Sequence, residues 1–343
     1  MSKALFLSEE FYYKKLQPLA NDVERYLLEE VEVNKDLEEM YTVAVQGGMR
    51  FRPVLQNIGY LTTGGKDPKM LVPYAASLEL MHKASLIHDD LIDQDYFRRG
   101  RPSFYNQFGF DKAIAMGDYL VALSLRVLLE NNPPQLYLHR FIKMHELLCE
   151  GELLEVSKVG KRVSIQESKE ISLGKTASLI QFSLSSGAIL NGAHESEISA
   201  LDEFGLHLGL VFQVINDLNN LSGLDKHTKG AALTDLQKRR ASVPLAMIND
   251  YFKENDGQSL WERLDSLEEK ELLMFLDSLK ASASNGELKE KVVSFCQLEM
   301  SKARKALANL PQSEMKKILE SIEEEMFASW FWQVQKGSEA NVV

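Results

Sequence analysis

The chain has 343 residues, enough to bury a substantial core. No Pro/Gly/Ser-rich linker or compositional break divides it, so residues 1–343 are expected to form a single helical domain. Its 39 Lys and Arg against 50 Asp and Glu leave a net charge of −11, which excludes a nucleic-acid binder built on a dense basic surface. Any anionic ligand must therefore meet locally clustered cations.

Only 20 Gly and 9 Pro punctuate a chain rich in Leu, Ala, Glu, Lys and Met, the composition of a mostly helical protein. Cys149 and Cys296 lie far apart without metal-ligand spacing, so free thiols and a cytoplasmic location are expected. The N-terminus lacks the apolar length of a signal peptide, and no stretch approaches the roughly 18 uncharged apolar residues of a membrane span.

In chain order, helical periodicity runs from Phe11 to Val45 and is broken at Gln46-Gly47-Gly48, after which Pro53 suits the first turn of a new helix. Gly64 to Pro68 reads as a loop. Leu71 to Asp93 then reads as one long buried helix, within which His82, Ser85, His88 and Asp89 need partners or ligands. Arg98-Arg99-Gly100-Arg101-Pro102 forms a basic loop. Helices are expected at Asp111–Glu130, Leu136–Val156, Ile165–Leu190 and Ile198–Leu221, packed as an antiparallel bundle. A charged connection, Gly223–Arg240, is a candidate lid. Amphipathic helices follow at Val243–Phe252, Leu260–Asn285, Leu288–Leu310 and Gln312–Phe331, ending in an aromatic cluster over residues 327–332 that docks on the core or a partner.

Two segments resemble copies of one metal site, His88-Asp89-Asp90-Leu91-Ile92-Asp93 and Ile215-Asn216-Asp217-Leu218-Asn219-Asn220. Asp89 and Asp93 are one helical turn apart, so both carboxylates project from one face. Such paired hard oxygens suit magnesium, which keeps several waters and is completed by substrate phosphates. In the second copy Asn216 and Asn220 occupy the same spacing with neutral carbonyl oxygens, beside Asp217.

Gly47-Gly48-Met49-Arg50-Phe51-Arg52-Pro53, the aspartates at 89–93, Arg98-Arg99-Gly100, Lys175-Thr176 and Phe212-Gln213 occur in the order seen in trans-isoprenyl diphosphate synthases. The chain thus resembles the polyprenyl synthetase family over roughly residues 40 to 330. The resemblance implies an all-α, isoprenoid synthase-type antiparallel helical bundle around a central cavity, working as a homodimer. Two aspartate-bearing helices would face each other across up to three Mg2+ ions and an allylic prenyl diphosphate. It further implies that Asp89, Asp90 and Asp93, with Asn216, Asp217 and Asn220, hold metal. Arg98 and Lys175 would bind the allylic diphosphate, with Thr176 and Gln213 beside the leaving group.

For the second substrate, isopentenyl diphosphate, the resemblance implies Arg52, His82 and Arg99, together with a lysine whose place is taken by Met49. A thioether cannot pair with a phosphate, and Arg50 stands next to it as the candidate replacement. In the lid, Lys229 and Arg240 supply further cations. Ala84 and Ser85, just upstream of Asp89, would line the tunnel for the growing tail, and their small size implies a C20 or longer product. The expected activity is a magnesium-dependent prenyltransferase; a class I terpene cyclase and a weak regulatory subunit of a heteromer are the alternatives.

Overall fold

In this computed structural model the described residues are 17–222, 234–257 and 259–322, with Glu10, Tyr13, Lys14 and Glu325 beside them. Residues 223–233, which include Lys226 and Lys229, and the aromatic cluster at 327–332 lie outside the described residues.

The helices are α1 (Asn21–Arg25), α2 (Glu38–Val45), α3 (Phe51–Thr62), α4 (Val72–Asp93), α5 (Phe104–Phe108), α6 (Phe110–Glu130), α7 (Gln135–Lys158), α8 (Ile165–Ser172), α9 (Ser178–Leu190), α10 (Glu195–Ser222), α11 (Thr234–Gln237), α12 (Val243–Asp256), α13 (Leu260–Ser266), α14 (Glu269–Asn285) and α15 (Glu287–Leu307). A further helical stretch covers 314–322. The all-α expectation holds. Among the described residues the only strands are β1 (Phe97–Arg98) and β2 (Arg101–Pro102), paired antiparallel with Arg98 opposite Arg101.

Three expected helices are broken. Phe11–Val45 is interrupted by a π turn at Tyr26–Glu30, and Ile165–Leu190 by another at Leu173–Ala177. Leu260–Asn285 ends at Ser266 and restarts after Glu268, whose side chain and Glu271 form a capping box that the apolar periodicity did not reveal. The basic loop after α4 is a hairpin: Arg99 at φ 54° and Gly100 at φ 75° supply the two left-handed residues of a tight two-residue turn.

The described residues form two compact units. The first takes in the chain up to Arg140, Ser183–Leu201 and the residues after Asn309; the second takes in Phe141–Phe182 and Asp202–Ala308. In the first, α4 lies along α6, and Ala75, Ala76, Leu80, Ala84 and Ile87 pack with Ala113, Met116, Leu120 and Leu123. Burying a Leu or Met of this kind is worth about 1.5–3 kcal/mol, which is why the apolar face of α4 dictates its seat. Gly117 admits His88, whose ring stands where a Cβ would be 2.1 Å from Nε2.

In the second unit, α8 packs on α12, and α14 on α15. A buried carboxylate, Glu299, accepts hydrogen bonds from Lys169 at 2.8 Å and Lys302 at 2.9 Å and lies 2.7 Å from His207 Nδ1. Burial alone would raise the pKa of Glu299, but these bonds hold it at about 2. Both cysteines are free, Cys149 exposed and Cys296 buried. One helix, α10, is long and apolar enough to cross a membrane, which the sequence reading did not anticipate; 61% of its most apolar window is buried within the protein, as in a core helix.

Candidate active site

The aspartate segment closes α4, and the hairpin behind it folds Arg98 back over the acids. Arg98 donates from Nη2 to Asp89 Oδ2 at 2.9 Å and from Nε to Asp90 Oδ1 at 2.6 Å. Asp90 is buried, and burial pushes its carboxyl up to about 6 in spite of the guanidinium. Asp89 and Asp93 are both partly exposed. Among the described residues no group of three or more His, Cys, Asp or Glu is arranged to hold a metal by itself. Two hard carboxylates one turn apart nevertheless fit magnesium, which takes its remaining oxygens from water and a diphosphate.

About two turns upstream in the same unit stands a second cluster. Arg52 Nη1 lies 2.9 Å from His82 Nε2; as the guanidinium can only donate, the imidazole accepts and is neutral, with its proton on Nδ1. Burial, then the neighbouring cations, press the His82 pKa well below its usual value, and burial lowers Arg52 to about 10. His82 Nδ1 and Arg52 Nε are buried without a hydrogen-bond partner among the described residues. Two orphaned donors in one cluster cost about 1–3 kcal/mol each until an acceptor arrives. Arg99 is exposed at the turn of the hairpin and reaches the Gly47-Gly48 loop: a Cβ on Gly48 would stand 3.3 Å from its Nη1.

Arg50, expected to stand in for the lysine missing at Met49, is engaged within the protein. It is 4% exposed, and its guanidinium is bonded to Glu79 at 2.7 Å, to the Val45 carbonyl at 2.7 Å and to Glu24. Its left-handed φ of 50° turns the side chain inward as the N-cap of α3, so it braces the loop. Ala84, at 1% exposure, packs in the apolar core of its unit among Leu80, Ile87 and Val45. Ser85 is partly buried, with its hydroxyl donated to the His82 carbonyl at 2.8 Å.

The second unit holds the other half of the expected constellation. The π turn carries Lys175 and Thr176, and Gly151 with Gly174 lets it approach α7 so closely that a Cβ on Gly151 would stand 2.4 Å from the Lys175 amide nitrogen. Lys175 Nζ lies between two carboxylates, 2.9 Å from Glu152 and 2.6 Å from Glu155. Sequence reasoning missed both acids, which do not stand out among the four glutamates of α7. Thr176 Oγ1 donates to Gln213 Oε1 at 2.7 Å, and Gln213 Nε2 donates to Asp217 Oδ1 at 2.7 Å.

Asp217 is 6% exposed. Burial first, and the charge of Asp235 second, raise its pKa well above the carboxylate range. Asn216 is partly buried. Asn220 Oδ1, the atom expected to meet metal, accepts from the Asp235 amide at 3.2 Å. Arg240 lies 3.7 Å from Asp235 Oδ1, so a cation of the lid is held against the same segment. Lys229 lies outside the described residues.

A model of the polyprenyl synthetase family matches residues 34–273. The farnesyl diphosphate synthase of Geobacillus stearothermophilus is 30% identical over 248 residues, covering 69% of this chain and 83% of that protein. The geranylgeranyl diphosphate synthase of Sulfolobus acidocaldarius is 26% identical over 279 residues, 78% of this chain and 84% of that one. Among solved structures, the geranylgeranyl pyrophosphate synthetase of Pyrococcus horikoshii superposes with a TM-score of 0.80 at 26% identity, over 92% of this chain and 98% of that one. The family model over residues 34–273 and the 30% identical relative show that this chain belongs to the polyprenyl synthetase family of prenyltransferases.

Proposed function

We propose that the protein condenses an allylic prenyl diphosphate with isopentenyl diphosphate, using magnesium, to give a C20 or longer prenyl diphosphate. The single observation that carries this reading is the pair of adjoining clusters in the first unit. Carboxylates at Asp89 and Asp93 suit a metal-bound diphosphate, and cations at Arg52 and Arg99 beside the donors of His82 suit a metal-free one. Two sites of different chemistry favour two diphosphate substrates. Magnesium bound at Asp89 and Asp93 would neutralise charge on the allylic diphosphate.

The protein's own groups do the rest. Arg98, once drawn off Asp89, is free to meet a diphosphate oxygen bidentately, and a guanidinium stabilises the negative charge that develops as the carbon–oxygen bond breaks. Arg52 donates to the second diphosphate, and His82 Nδ1 gains an acceptor. Lys175 is a further cation of the second unit, poised between Glu152 and Glu155. Thr176 and Gln213 form a fixed polar relay beside Asp217. For product length, α4 carries no Phe, Tyr or Trp between Leu78 and Asp89, which favours a long tail over a short one. The homodimer implied by the family belongs to the same reading.

The test is incubation of the pure protein with Mg2+ and C10, C15 or C20 allylic diphosphates, with and without isopentenyl diphosphate, and identification of products by mass spectrometry. Lengthened diphosphates of C20 or more are expected, dependent on both substrates and on metal. Hydrocarbons or alcohols formed without isopentenyl diphosphate would overturn the reading in favour of cyclisation.

A further inference from the structure

Lys83 was not singled out by its position in the chain. It lies on α4 one residue after His82 and is 8% exposed. Its Nζ donates to the Gly47 carbonyl at 2.8 Å and the Gln46 carbonyl at 3.2 Å, crossing from the helix to the loop that carries Met49. A Cβ on Gly48 would stand 3.6 Å from Lys83 Nζ and 3.3 Å from Arg99 Nη1, so both cations converge on one point of that loop.

The charges around that point do not cancel. Glu79 on α4 and Glu24 on α1 are the neighbouring carboxylates, and both are bonded to Arg50. Among the described residues Lys83, Arg52 and Arg99 form no ion pair with an acid. Burial first, and then repulsion from Arg50 and Arg99, lower Lys83 to about 8, against the opposing pull of Glu79 and Glu24. Cations held together without acids, one of them the buried Lys83, are stabilised by an anion. The unpartnered His82 Nδ1 and Arg52 Nε in the same cluster point to an oxygen-rich one.

We propose that Lys83 binds the diphosphate of the metal-free substrate, supplying from α4 the cation that Met49 does not supply from the loop. The proposal rests on the two-diphosphate reading above. It makes the Met49 departure a relocation of charge: one ammonium, reached from the neighbouring helix, with the Gly47 and Gln46 carbonyls aiming its third N–H. An ammonium has three donors, so two carbonyl bonds leave one for a phosphate oxygen.

Binding of isopentenyl diphosphate, measured by calorimetry without metal, tests the proposal independently of turnover. Lys83→Met is expected to weaken binding about 10- to 100-fold, the factor for one charge-assisted hydrogen bond. Adding Met49→Lys to that variant is expected to recover most of the loss, and Lys83→Arg to retain most of the affinity. In steady-state assays KM for isopentenyl diphosphate should rise by a similar factor, with kcat and the allylic KM little changed. Equal affinity of Lys83→Met and the unaltered protein would overturn the proposal. So would weaker binding accompanied by an equal loss for the allylic diphosphate, since that marks Lys83 as a brace of the loop. Whether the unaltered protein elongates an allylic diphosphate at all is decided separately by the product assay.

Discussion

The two units treat buried charge in opposite ways. In the second, each buried ion is answered within the protein: Lys175 sits between Glu152 and Glu155, and Glu299 gathers Lys169, Lys302 and His207. In the first, Lys83, Arg52 and Arg99 stand together while the adjacent acids Glu79 and Glu24 are taken by Arg50. The difference teaches where a ligand's charge is needed for stability. On the proposal above, the first unit gains stability when an anion binds, whereas the second must break ion pairs before Lys175 can meet one.

The sharpest way to break the comparison is at the acids of the first unit. Asp89→Ala should lower turnover by about 10²- to 10³-fold or more in a product assay, the scale for losing one preorganised electrostatic group. A loss of only a few-fold would mean that the carboxylates of α4 are not central. Next comes Glu299→Gln in the second unit, expected to cost about 3 kcal/mol in denaturant unfolding because Lys169 and Lys302 lose their acid and His207 its carboxylate partner. As its folded-state pKa lies near 2 against a usual 4.5, Glu299 contributes stability that is present above pH 4.5 and lost as the pH falls towards 2; the Gln variant should lack that acid-side slope.

Ala84→Phe should destabilise by about 1–3 kcal/mol through overpacking, read as a lower melting temperature. An unchanged melting temperature with shortened products would place Ala84 at the tunnel. Lys83 gives a pH signature: with its folded-state value near 8, the ammonium is lost above that pH, and KM for isopentenyl diphosphate should rise by about tenfold between pH 7 and 9.5. Lys83→Arg should flatten the rise. Because the folded value lies below the usual 10.5, folding releases a proton between about pH 8 and 10.5, so stability should increase with pH across that window. Smallest is Thr176→Val, which removes one bond to Gln213, about 1 kcal/mol, and should slow turnover about fivefold.

The comparison also shows which residues were legible. Asp89 and Asp93 were, because one helical turn is a local geometry that any long apolar helix enforces. The order of Arg52, His82, Arg98, Arg99, Lys175, Thr176 and Gln213 carried the family, since several spaced motifs agree by chance far less often than one. Arg50 was read as compensating along the chain for its neighbour Met49; that it is bonded to Glu24 and Glu79 could not be read from the sequence. Asn220 was read as a free carbonyl oxygen, and only the fold brings the Asp235 amide to it.

By itself the sequence determined the helical class, the end of the long helix at Asp93, the clustering of cations near 50 and 98, and the family, all of which depend on composition, short periods and spacings. Only the tertiary structure decided which cation answers which acid. Lys83 meets Gly47 across 36 positions, and Lys175 meets Glu155 across 20. Such pairings are set by how helices seat their apolar faces, through Ala84 on α4 or Gly151 on α7, and the polar partners follow from that packing.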